Sequence, residues 1–192
     1  QNQGGVITFN GSVDGAHALT VIAATGSGTV NLGTSVGSSV TLSSLITKGA
    51  TITTAGLVKT SGTQSYVGAA LNLSDNTTVT TANSDVTFGQ VINGAKTLNI
   101  NTGSGAVTFN YNVGSSTALA SVVITGSGLN TLPAIIRTSG GINLLGTAEL
   151  GNTRTNTLAV NTALTSTANG DITIGNTKNM SRDKHEPRLV IN

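Results

Sequence analysis

The stretch GSGTVNLGTSVGSS, Gly26 to Ser39, returns as GSGAVTFNYNVGSS, Gly103 to Ser116, seventy-seven residues further on. Eight of the fourteen positions are identical, and Thr29/Ala106 and Leu32/Phe109 exchange one small or apolar residue for another. The correspondence extends outward on both sides. VITFNGSVDGAHALTV from Val6 matches DVTFGQVINGAKTLNI from Asp85 at an offset of 79, with Phe9 on Phe88 and Asp14-Gly15-Ala16 on Asn93-Gly94-Ala95. The offset is 77 through Leu42 and Leu119, and LVKTSG from Leu57 matches IIRTSG from Ile135 at 78. A third copy opens at DITIGNTKN from Asp171, where Ile174 lies 86 beyond Phe88, and LVIN at Leu189 to Asn192 resembles LNIN at Leu98 to Asn101. The chain therefore divides into a first repeat over 1–84, a second over 85–170, and the start of a third over 171–192. It opens QNQGG without an initiator Met, and is expected to be a processed product or a piece of a longer array.

Self-similarity at a long fixed period is the mark of an architecture in which each unit buries its apolar face on the next. Within each copy a shorter rhythm appears. Runs such as VITF, TVNL, LNLS, DVTF, AVTF and DITI alternate apolar residues with Thr, Asn or Ser, the period-2 pattern of a half-buried strand. Gly, Ser, Asn and Asp clusters such as TGSG and VGSS separate them as turns. Ser, Thr and Asn compete with helical hydrogen bonds, and β-branched residues favour strands, so no helix is expected. A closed sandwich would need larger core residues, whereas a solenoid repeats a thin core without limit. The expected fold is all-β, a parallel β-helix. At roughly 20 to 25 residues per winding, one repeat makes about four windings. The whole makes about eight or nine, a rod on the order of 40 Å long at a rise of about 4.8 Å each. Val, Leu, Ile and Ala fill its narrow interior, Phe9, Phe88 and Phe109 its wider places.

Composition narrows the function. Charged residues are 8% and aromatic residues 3%, against about 25% charged in ordinary soluble domains. Nine Lys plus Arg face seven Asp plus Glu. Lys48, Lys59, Lys96, Arg137 and Arg154 stand singly, which argues against the clustered phosphate contacts that nucleic acid requires. The absence of cysteine excludes a disulfide framework, a thiol nucleophile and a Cys-ligated metal. No run of eighteen apolar residues offers a membrane span, and no signal-peptide pattern is present.

The repeat order, VTF…G.V.GA..L.I….GSGAVTF…VGSS followed by TSG and ANSDVTFG, resembles the repeats of large exported bacterial adhesins of the filamentous-haemagglutinin type. The resemblance covers nearly the whole chain to about Ile174. It implies a right-handed parallel β-helix, secreted and displayed as a stalk at the bacterial cell surface. It carries no attachment site over to any residue here, because the family's secretion domain, recognition motif and tip have no counterpart in this sequence.

The residues that could do chemistry are dispersed. Cleavage of a polysaccharide needs two or three acidic groups close together, but Asp14, Asp75, Asp85, Glu149 and Asp171 fall one to a region. Asp85 and Asp171 precede equivalent strands, where a carboxylate caps turn amides. His17 aligns with outward Lys96, and with His185 it is one of two histidines, too few and too far apart for a metal site. No calcium-binding motif is present, and the GSG phrases lack the helix and Lys-Ser/Thr of a phosphate loop. Thr-rich strands raise ice binding, but the threonines shift between copies. Sugar stacking wants exposed aromatic rings, and with no Trp and only Tyr66 and Tyr111 the sequence argues against it. Asn10, Asn72, Asn76 and Asn179 sit in glycosylation-type triplets, which arise by chance in a chain this rich in Asn, Ser and Thr. No catalytic, cofactor-binding or metal residue is assigned, and no cofactor is expected.

The last fifteen residues, KNMSRDKHEPRLVIN, are different. They hold six of the sixteen charged residues and the only Met. They read as a charged insertion or a polar end cap. Arg182, Asp183, Lys184, His185, Glu186 and Arg188 form the candidate contact segment. The functional expectation is a non-enzymatic stalk or fibre segment of an exported surface adhesin. Its partners are neighbouring repeats or subunits of the same fibre, and a host or neighbouring cell surface reached through domains outside this sequence. Nucleic acid and membrane insertion are not expected. A self-assembling extracellular filament subunit, joined end to end through its terminal windings, is the alternative.

Overall fold

A computed structural model describes residues 4–24, 26–144, 155–158, 162–178 and 189–192, and all regular structure in them is β. Every strand pairing is parallel. The expected parallel β-helix, a β-solenoid of stacked windings, is the observed fold. Each winding contributes one strand position to each of three faces, here called A, B and C in chain order.

The register names the core. On face A, Ile7, Val30, Ile52, Leu71, Ile92, Val113, Ile136, Leu164 and Ile191 stack in one line. On face B the line is Val13, Val36, Val58, Val79, Ile100 and Ile124, continued through the paired strands to Leu144 and Ile174. On face C it is Val21, Thr47, Tyr66, Phe88 and Phe109. The alternation read from the sequence is the alternation of burial: in Val86–Asn93 every second side chain points inward. Phe88 and Phe109 are buried, and three rings stack in series, Tyr66 on Phe88 and Phe88 on Phe109, with centroids 5.2 and 5.1 Å apart and nearly parallel. Phe9 is only half-buried. Parallel strands a winding apart place identical side-chain types directly over one another, which is why one aliphatic or aromatic position repeats as a column.

Winding length is uneven. Nineteen residues separate Ile52 from Leu71 on face A, and thirty separate Ile142 from Ile172 on face B. The long winding includes residues 145–154, which lie outside the described residues, as does the contact segment Arg182, Asp183, Lys184, His185, Glu186 and Arg188.

The sequence repeat and the winding do not share a period. From Phe9 the inward anchors run Phe9, Val13, Leu19, Val30, Val36, Leu45, Ile52, Val58, Tyr66, Leu71 and Val79 before Phe88 is reached. That is eleven strand positions, or three and two-thirds windings rather than four. Phe9 ends a face A strand, Phe88 lies on face C, and Ile174 on face B. Eleven positions again separate Phe88 from Ile174. Each copy therefore begins one face earlier than the last, and the rod turns its repeat by a third of a turn each time.

The quoted phrase keeps its local structure while changing face. Val36 stacks on Val13 and Val113 on Ile92, although the first pair is on face B and the second on face A. Gly37 and Gly114 both take φ of 72°, a left-handed conformation open mainly to glycine. A side chain on either would collide with the carbonyl of Lys59 or Arg137 in the following winding. The TSG phrases behave alike. Thr60 Oγ1 donates to Gly62 O and Thr138 Oγ1 to Gly140 O, each at 2.6 Å. Ser61 and Ser139 hydroxyls reach back to Leu42 O and Leu119 O, each at 3.4 Å.

Candidate functional site

Among the described residues, the carboxylates Asp14 and Asp85 are turn fixtures. Asp14 Oδ1 accepts the backbone N–H groups of Ser39 at 2.7 Å and Val40 at 3.1 Å from the next winding. Those bonds, Ser39 first, hold its carboxyl below the usual carboxylate range. Asn93, its counterpart, does the same work for Ser116 and Thr117 without a charge. Asp85 Oδ1 accepts from Ala106 N at 2.7 Å, as its turn position predicts. Asp75 lies 3.8 Å from Lys96 Nζ, both partly exposed, a loose pair of little energetic weight. Asp171 and His17 are exposed. Glu149 and His185 lie outside the described residues. Among the described residues no three His, Asp or Glu side chains gather as metal ligands.

Polar chemistry inside the windings is what the sequence reading missed. Gln64 is buried, accepting from Tyr66 Oη at 2.7 Å and donating to Thr80 O at 2.9 Å and to Val58 O and Thr60 Oγ1, each at 3.2 Å. Burial pushes the Tyr66 phenol well up, so Tyr66 is a core residue and no stacking platform. Gln90, also 1% exposed, has neither amide atom hydrogen-bonded. The orphaned hydroxyls of Thr47 and Thr54 are buried too.

Among the described residues a concave surface lies at the corner between faces C and A, around Tyr111, a residue 56% exposed. On one side a cleft of about 380 Å³ is lined by Gly68, Ala69, Gln90 and Val91. On the other a cleft of about 350 Å³ is lined by Asn110, Asn112, Thr131 and the Leu132–Ala134 segment. The clefts exist because the lower windings carry almost no side chain there. A Cβ on Gly68 would strike Gly49 O, and one on Gly89 would sit 3.0 Å from Tyr66 O. The sequence held one signal for this site: Tyr111 stands where the first copy has Thr34.

No family model, curated protein or solved structure matches this chain. What fold and surface define together is a repeat protein of the β-solenoid class.

Proposed function

We propose that this chain is a non-catalytic stalk or fibre segment of an exported bacterial surface adhesin. The observation that carries the reading is the unbroken face A column from Ile7 to Ile191. Among the described residues the strands of each winding pair in parallel with those of the next, so load on one end is shared among many hydrogen bonds and an apolar interior. Such a rod adds length by adding windings and needs no other machinery. Sparse charge and the absence of cysteine agree with an exported structural polymer, and among the described residues the carboxylates Asp14, Asp75, Asp85 and Asp171 are dispersed along the chain. Its immediate partners are neighbouring repeats of the same fibre.

The test is an antibody raised against this chain, used on intact source cells and on their fractionated proteins. The expected result is surface labelling and a native polypeptide far above 19.1 kDa. A product near that mass confined to the cell interior overturns the reading. A product of that mass that polymerises outside the cell overturns the stalk in favour of a self-assembling filament.

A further inference from the structure

We propose that the corner cleft around Tyr111 binds a neutral oligosaccharide laid along the rod axis. The site goes beyond the stalk reading, since a rod needs no groove. Four successive windings build it, from Gly68 and Ala69 through Gln90 and Val91 and Tyr111 to Leu132–Ala134. At the strand spacing these span about 14 Å, longer than a single sugar ring.

Three features set the ligand's chemistry. Tyr111 is an exposed aromatic side chain in the cleft, and the C–H face of a sugar ring packs on such a ring. Asn110 and Asn112 flank it in the chain and line the same cleft, and Asn112 Oδ1 accepts the N–H of Ile135 at 3.1 Å, which holds that amide in the lining. No Lys, Arg, His, Asp or Glu lines either half, so an anionic glycan, a nucleic acid or an acidic peptide would find no counter-charge. Gln90 contributes to the floor of the cleft while its amide faces the rod interior. The first copy has Gly11 and Thr34 at the positions of Gln90 and Tyr111, so the second copy alone carries this pair.

Isothermal titration calorimetry tests the site with neutral gluco-, manno-, galacto- and chito-oligosaccharides, and with an oligogalacturonate as the anionic contrast. Saturable binding of at least one neutral ligand is expected, at least tenfold weaker in Tyr111→Ala and retained in Tyr111→Phe. Thr34→Ala should bind as the parent does. The ring is on the surface, so a melting curve of Tyr111→Ala should overlie the parent's and separate lost binding from lost fold. No binding across the panel, binding of the oligogalacturonate alone, or undiminished binding by a folded Tyr111→Ala overturns the proposal.

Discussion

Gln64 and Gln90 face the same interior with opposite bonding, and neither was legible in the sequence. Alternation marks a residue as inward; it does not say whether an inward amide finds partners. Gln64 does, because Thr60 and the carbonyls of Val58 and Thr80 converge on it and Tyr66 donates to it. Replacing it with an apolar residue leaves the Tyr66 hydroxyl buried and unpaired, a loss of about 1–3 kcal/mol. Gln90 has no such partners, so an apolar residue of like shape removes a penalty. Gln64→Met is expected to lower the melting temperature by several degrees, at about 2–4 °C per kcal/mol for a chain of this size, and Gln90→Met to raise it. Thermal unfolding followed by circular dichroism checks both. Equal losses in the two variants would show that packing, not amide bonding, decides stability here.

The turn that hangs from Asp14 in the first copy hangs from Asn93 in the second, and the pair is a built-in comparison between a charged and a neutral acceptor. The sequence aligned Asp14 with Asn93 and marked VGSS as a turn, so the correspondence was legible. The acceptor's target was not, because it lies in the next winding and depends on stacking. A carboxyl whose folded pKa is lowered contributes stability that is present above the unfolded value and lost as pH falls through the folded one. The contribution of Asp14 is thus full at neutral pH and fades in acid below the usual carboxylate range. At pH 7, Asp14→Ala is expected to melt below the parent, since Ser39 and Val40 lose their acceptor, while Asp14→Asn stays close to the parent. Between pH 4 and pH 2 the parent should fall relative to Asp14→Asn, whose amide does not titrate. Asp14 is exposed, so added salt should shrink the difference. Melting curves across that range decide it: parallel curves for parent and Asp14→Asn would mean the carboxylate acts only as a steric fixture.

At the scale of the rod, the sequence made the windings, the parallel stacking and the aliphatic interior legible, because a period of two and a long repeat are both properties of a single line of text. It hid the phase. A repeat of 77 to 79 residues looks like four windings, but winding lengths, from eighteen residues upward between Leu42 and Thr60, depend on corners whose turns differ. The outcome is a repeat of eleven strands on a three-faced rod, so each copy sets its successor one face round. Excising Val30–Ala106 joins Thr29 to Val107 within the shared phrase, and the seam should fold because Val107 then occupies the place of Val30 over Ile7. Thr20 and Thr131 both point outward on face C of the intact rod, connected through Ile46, Ser65, Thr87 and Thr108. After excision Thr131 moves to face A while Thr20 stays on face C. The chain has no cysteine, so cysteines placed at these two positions can be spin-labelled without background. In the intact rod the labels should lie about five strand spacings apart along one face, about 24 Å. In the shortened rod the axial separation should fall to between one and two spacings, with the remaining distance running across the rod. A shortened rod whose labels lie one above the other on one face would mean the repeat holds whole windings after all.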